Sequence, residues 1–152
     1  MTKKLLVRKA KINDAQFIAD ANCQMALETE GLRLNEDTVI AGVKAVFENT
    51  SRGFYLLAET DGRKVGCLLV TYEWSDWRNK QTAWIQSLYV LPEFRNQGAF
   101  KTMFAKVDAM VQSGKFAGVR LYVDSTNNKA QKIYKKFGMN GDHYMLFEKM
   151  SD

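Results

Sequence analysis

The stretch best suited to chemistry in this 152-residue chain is Arg95-Asn96-Gln97-Gly98-Ala99-Phe100-Lys101. It follows a strand-like run, Leu88-Tyr89-Val90-Leu91, closed by Pro92. It precedes apolar residues at helical spacing: Phe100, Met103, Phe104, Val107, Met110 and Val111. A strand feeding a helix through a basic, glycine-containing turn makes an anion site. The first N–H groups of a helix lack intrahelical partners and sit at the positive end of its dipole, so a phosphate settles against them. Arg95 and Lys101 add formal positive charge on either side, and Gly98 permits close approach to the backbone.

The elements that must position this turn can be read in order. Leu5 to Val7 suit a short strand, and Asn13-Asp14 an N-cap before a helix over Ala15 to Leu27. Asn35-Glu36-Asp37-Thr38 starts a second helix with an apolar stripe at Val39, Ile40, Val43, Val46 and Phe47. Phe54 to Glu59 and Val65 to Tyr72 flank an Asp61-Gly62 hairpin turn. Residues 73–80 are polar and aromatic, and read as a loop. Gln81 to Leu91 is a long strand, and the helix from Phe100 ends at Ser113-Gly114. Gly118 to Val123 is another strand, Asn127 to Phe137 a helix with a Gly138 cap, and Tyr144 to Lys149 a last strand. The order β-α-α-β-β-β-α-β-α-β predicts an α+β domain with a mixed sheet, in which three consecutive strands form an antiparallel meander.

Composition bounds the function. The length suits a single domain over residues 1–152, one able to bury roughly two-thirds of its unfolded surface. Hydrophobic residues at 46% and charged residues at 26% are ordinary for a soluble globular protein. No apolar run approaches the roughly 20 residues that span a bilayer, so no membrane partner is expected. The N-terminus lacks the pattern of a secretory signal, which points to the cytoplasm. Cys23 and Cys67 lack metal-ligand spacing and read as buried free thiols. A single histidine, His143, argues against zinc, and no metal is expected.

The net charge of +5 would suit either nucleic acid or a polyanionic cofactor. Much of the excess lies between Arg95 and Lys106 and at Lys129, Lys132, Lys135 and Lys136. No like-charge block or aromatic-interleaved basic repeat accompanies it, so a local phosphate site is favoured and no nucleic-acid partner is expected.

Arg95-x-x-Gly98 on a strand-to-helix turn resembles the pyrophosphate loop of the GNAT superfamily of acyl-CoA-dependent N-acyltransferases, with Phe100 where that family has Gly or Ala. Asn127-x-x-Ala130-x-x-x-Tyr134-x-x-x-Gly138-Met139 resembles a second signature of the same family, with Met139 in place of Phe. The element order resembles the family's over nearly the whole chain.

The resemblance implies a central mixed, mostly antiparallel sheet of about six to seven strands flanked by about four helices. Acetyl-CoA is the implied cofactor. Its pyrophosphate would take backbone N–H bonds from Asn96, Gln97, Gly98, Ala99 and Phe100, with Arg95 and Lys101 beside it. Leu88, Tyr89 and Val90 would splay from the next strand and pair with the pantetheine amides, and a backbone N–H near Leu88 or Tyr89 would hold the oxyanion. Asn127 would hydrogen-bond the arm near Ala130, and Tyr134 would protonate the leaving thiolate. A phenol with a pKa near 10 matches a thiol leaving group.

Many members of the family use a strand glutamate to activate the amine. Here the strand reads Trp84-Ile85-Gln86-Ser87-Leu88, and Gln86 can orient water but cannot act as a base. In the implied fold, Glu28 and Glu30 border the acceptor cleft from one side, and Glu73 and Asp76 from another. Trp74, Trp77 and Trp84 would give aromatic walls suited to a small cation, while Arg78 would suit a carboxylate on the acceptor. The resulting expectation is transfer of an acetyl group to a primary amine by direct attack in a ternary complex. The acceptor is expected to be a small-molecule amine, an amino acid or an antibiotic-like molecule, and the sequence does not choose among these and protein amino groups. The protein is expected to be a homodimer if it follows the family. The alternative is a non-catalytic CoA-binding sensor.

Overall fold

Four α-helices and five strands follow one another in the computed structural model, which describes residues 4–151. They are β1 (Leu5–Lys9), α1 (Ala15–Glu30), α2 (Glu36–Glu48), β2 (Phe54–Thr60), β3 (Arg63–Ser75), β4 (Lys80–Val90), α3 (Ala99–Gln112), β5 (Val119–Arg120) and α4 (Asn128–Lys136). These residues divide into two compact units, one ending at Arg120 and the other starting at Leu121.

In the first unit the strands lie in the order β1-β2-β3-β4-β5. The first four are antiparallel, and β5 runs parallel to β4. Asp61 and Gly62, both at positive φ (51° and 80°), form the tight β2–β3 turn that matches strand twist. A parallel neighbour needs a crossover, which α3 supplies between β4 and β5.

Cross-strand pairs point to the same face, so the register divides the sheet. Cys67, Leu69 and Thr71 of β3 stand opposite Tyr89, Gln86 and Trp84 of β4. Tyr89, Cys67, Leu57 and Tyr55 pack with Ala15, Ile18 and Ala19 of α1 and Val43 of α2. That face therefore belongs to α1 and α2. Burial of each large apolar side chain there contributes roughly 1.5–3 kcal/mol.

Some expected boundaries move. β3 reaches Ser75 and β4 begins at Lys80, so Glu73 and Trp74 are strand residues rather than loop residues. They pair with Thr82 and Gln81, and the ladder carries polar side chains to its end because backbone bonds hold it. The sheet has five strands, fewer than expected among the described residues. β5 keeps only Val119 and Arg120 of the expected 118–123, and residues 144–149 form no strand. Strand composition describes a surface that fits a paired neighbour, and composition alone makes no ladder. Met145 and Phe147 are largely exposed.

Asp14 also departs from expectation. It stands at the N-cap position of α1, but its side chain makes no cap bond. The carboxylate accepts from Arg8 at 2.8 and 3.1 Å and from the Lys11 N–H at 2.7 Å, and it lies 2.8 Å from Lys64 Nζ. Asp14 is 2% exposed, and the Arg8 guanidinium holds its carboxyl well below the usual carboxylate range. Its stabilising effect is therefore full above the unfolded pKa near 4 and is lost as pH falls towards the folded value. Asp14→Asn is expected to cost about 3 kcal/mol at pH 7, because two cations lose a buried partner. Urea titration of both proteins should find that deficit above about pH 5 and find it narrowing below pH 4.

In the second unit, Asn127 caps α4 by accepting the Ala130 N–H at 3.1 Å. Gln131 Nε2 donates to the carbonyls of Asp124 and Ser125, which ties the preceding turn to the helix. The helix ends as Gly138 takes φ 83° and Met139 N–H donates to the Tyr134 carbonyl.

Candidate active site

The turn after β4 is held from several directions. Leu91 N–H donates to the Val65 carbonyl at 2.8 Å. A single 3-10 turn, Pro92–Phe94, follows, and the Phe94 ring is buried beneath the Arg63 guanidinium, 4.9 Å from its centroid. Gln97 Nε2 donates to the Glu93 carbonyl at 3.1 Å. Asn96 and Gly98 take positive φ (63° and 89°), which turns the chain into α3.

Gly98 is the N-cap of α3 and makes no side-chain cap bond. A Cβ built there would meet no protein atom within 4 Å. The helix start therefore opens onto free space with its N–H groups facing an anion's natural seat. A pyrophosphate fits this arrangement. The first turn also carries Lys101, which is exposed. Phe100 resolves towards the helix, since its ring packs edge-on against Phe104 at 6.1 Å.

Just before the turn, β4 is irregular. Cys67 pairs with Tyr89 and Leu69 with Gln86, so Leu68 faces both Ser87 and Leu88, and Ser87 takes φ 51°. This bulge keeps Gln86 and Tyr89 on the same face despite their odd spacing. The β4–β5 ladder ends at Trp84 and Arg120, whereas β4 continues to Val90. Backbone groups of Ser87, Leu88 and Val90 thus lie on a stretch without β5 beside it. Gln86 donates to Thr71 Oγ1 at 2.5 Å, which fixes its amide and leaves its carbonyl oxygen to accept. Neither Thr71 nor the Ser87 bulge was visible in the sequence pattern, because a bulge has no periodic signature.

Glu28, in the last turn of α1, meets this region directly. Tyr89 Oη donates to its Oε1 at 2.6 Å, and Arg95 donates to its Oε2 at 2.8 Å. Arg95 also donates through Nε to the Val90 carbonyl at 2.9 Å and lies 5.3 Å from the Tyr89 ring centroid. The Tyr89 and Arg95 hydrogen bonds lower the Glu28 pKa. Burial, then Glu28, pushes the Tyr89 phenol up to about 12.

The other acceptor candidates lie elsewhere. Glu30 is exposed at the end of α1. Glu73 is paired with Arg120 at 2.5 Å, Trp74 and Trp77 are largely exposed, and Arg78 donates to Ser75 Oγ at 3.4 Å. These belong to the β3–β4 hairpin end. Thr82, opposite Glu73, is separated from Val90 by eight residue steps, about 26 Å of strand at 3.3 Å per residue. Trp84 is half-buried between these regions, on the same sheet face as Gln86 and Tyr89.

In the second unit, the side-chain oxygen Oδ1 of Asn127 is used as the α4 cap, and Ala130 supplies the capped N–H. Tyr134 is partly buried on α4, and burial raises its phenol pKa, so it keeps its proton at neutral pH. Burial also raises the pKa of Cys23, and it pushes Cys67 up to about 12. Neither thiol is ionised at neutral pH as a covalent acyl carrier would need to be. Among the described residues there is no cluster of His, Cys, Asp and Glu able to hold a metal, and no helix long and apolar enough to cross a membrane.

The bulged end of β4 thus runs directly into a helix whose start, at Gly98, carries no side-chain cap. The pattern described as the Acetyltransferase (GNAT) family matches residues 18–139, which takes in both units. The chain belongs to this family.

The chain is similar to a structure named "possible acetyltransferase" from Clostridium difficile 630. They share 34% identity over 97% of this chain and 98% of that one, with a TM-score of 0.90. A structure of a predicted acetyltransferase with acetyl-CoA from Clostridium acetobutylicum has the same fold at 16% identity. It covers 95% of this chain and 96% of that one, with a TM-score of 0.74. The chain is also 31% identical over 85 residues to a Bacillus subtilis (strain 168) protein named "Putative ribosomal protein bS18-alanine N-acetyltransferase". That match takes in 56% of this chain and about half, 52%, of the relative.

Proposed function

We propose that this protein transfers an acetyl group from acetyl-CoA to a primary amine by direct attack within a ternary complex, in one domain spanning both units. The carrying observation is the uncapped start of α3 at Gly98, open to an anion and reached directly from the bulged end of β4. Gln97, Gly98, Ala99, Phe100 and Lys101 cradle the pyrophosphate, with Asn96 shaping the turn. The backbone of Leu88, Tyr89 and Val90 receives the pantetheine arm. When bound, the cofactor supplies an activated acyl carbon and a thiol leaving group.

The chain's own residues do the rest. A backbone N–H near Leu88 or Tyr89 would stabilise negative charge developing on the acyl oxygen as the amine attacks. On the strength of the Asn127–Gly138 signature, Tyr134 would donate its phenolic proton to the departing thiolate. The nitrogen, which arrives as ammonium, gives up its protons to solvent before attack and as the amide forms. The un-ionised Cys23 and Cys67 favour direct attack over an acyl-cysteine. Amino groups of small molecules and of protein N-termini share the required chemistry. The Bacillus subtilis relative is named for the latter.

A thermal melt with and without acetyl-CoA at fixed salt tests the reading. Ligand at about a hundred times its Kd adds roughly 2.7 kcal/mol, which should raise Tm by several degrees. Thiol release with an amine panel should follow. A shift without thiol release would favour a CoA-binding sensor, and no shift at millimolar ligand would overturn the reading.

A further inference from the structure

We infer that Glu28 is the anchor for the acceptor's ammonium group and that Arg95 masks it until the cofactor's pyrophosphate draws the guanidinium away. The inference rests on the proposed acetyl-CoA site and adds the order in which that site is used. Arg95 is the first residue of the phosphate turn, yet its guanidinium is spent on the Glu28 carboxylate and the Val90 carbonyl. The side chain that should attend the donor's phosphates is therefore occupied by an acidic residue on α1.

Glu28 is well placed for a cation. It lies in the last turn of α1, at the negative end of the helix dipole, where Gly31 closes the helix at φ 63°. Its Oε1 is oriented by the Tyr89 hydroxyl, and Tyr89 follows the Ser87 bulge on the strand expected to hold the pantetheine. With Arg95 removed, one carboxylate oxygen keeps its Tyr89 hydrogen bond and the other is open to an ammonium. The pair is partly exposed, with side chains 40% and 36% accessible, so a dianionic pyrophosphate can compete for the arginine. Coupling follows by linkage: whatever binds Arg95 away from Glu28 improves the site for the amine.

Calorimetric titration with acetyl-CoA tests this without turnover. Glu28→Gln should bind acetyl-CoA about threefold to fivefold more tightly than wild type, the worth of a partly exposed ion pair. It should also raise the amine KM at least tenfold. Removing a negative charge near a polyanion could tighten binding by field alone, so Arg95→Gln provides the second background. There the gain from Glu28→Gln should vanish. Unchanged or weaker binding by Glu28→Gln overturns the masking, as does a gain that persists without Arg95. In both cases a wild type that binds and turns over keeps the proposed function intact. A wild type that does not bind acetyl-CoA overturns both.

Discussion

Tyr134→Phe is expected to lower kcat by about two to four orders of magnitude while leaving the acetyl-CoA Kd unchanged. The size follows from what a positioned proton donor contributes to a transition state. The phenol suits the task because burial raises its pKa above the ordinary value near 10, so it is fully protonated at neutral pH. Loss of the hydroxyl removes a proton needed only as the C–S bond breaks, so the defect should appear in kcat and not in cofactor binding.

The pH profile carries the same signature. Burial raises the phenol's pKa, so any alkaline loss due to Tyr134 should fall above the range in which an ordinary tyrosine ionises. Steady-state thiol release and calorimetry on the two proteins check both halves of the prediction. Undiminished turnover by Tyr134→Phe would remove the residue as the acid.

The parts of the site legible in the sequence are those built from neighbours along the chain. Arg95 to Lys101 is such a piece: a glycine at the N-cap and a helical stripe immediately after mark a helix start whose N–H groups no side chain caps. The Asn127 cap is another, since an N-cap side chain bonds an N–H three residues on. Glu28 and Arg95 are 67 positions apart, and nothing local connects them. Sequence placed Glu28 among acceptor candidates and Arg95 beside the phosphates, but only the crossing of α1 over β4 joins them.

The bulge at Ser87 is illegible for a different reason. It breaks the period-two pattern by one residue, and a single extra residue in a mixed strand reads as noise. The polar, aromatic composition of residues 73–80 makes Glu73 and Trp74 look like loop residues. Backbone pairing with Gln81 and Thr82 overrides that reading. Residues 144–149 err in the opposite direction, because apolar composition there suggested a ladder that is not formed.

Gly98→Trp should raise the acetyl-CoA Kd at least a hundredfold and leave the fold standing. The position is unusual in that its two constraints separate. One is conformational: φ is 89°, so any side chain pays a left-handed penalty of roughly 1–2 kcal/mol. The other concerns space, since a Cβ there touches no protein atom within 4 Å and projects into the volume assigned to the pyrophosphate. Gly98→Ala carries the first cost with little of the second, and Gly98→Trp carries both.

The two variants should therefore melt at similar temperatures, a few degrees below wild type. They should differ sharply in affinity, with alanine weakening binding modestly and tryptophan abolishing it, because an indole over the helix start displaces the anion from its N–H donors. Circular dichroism melts and calorimetric titrations separate the terms. Parallel losses of stability and affinity in both variants would mean that strain in the turn, and not occupancy of the space above it, controls binding. Undiminished binding by Gly98→Trp would move the pyrophosphate away from α3 altogether. The Arg95–Glu28 pair would then be a clasp between α1 and β4 with no part in cofactor exchange.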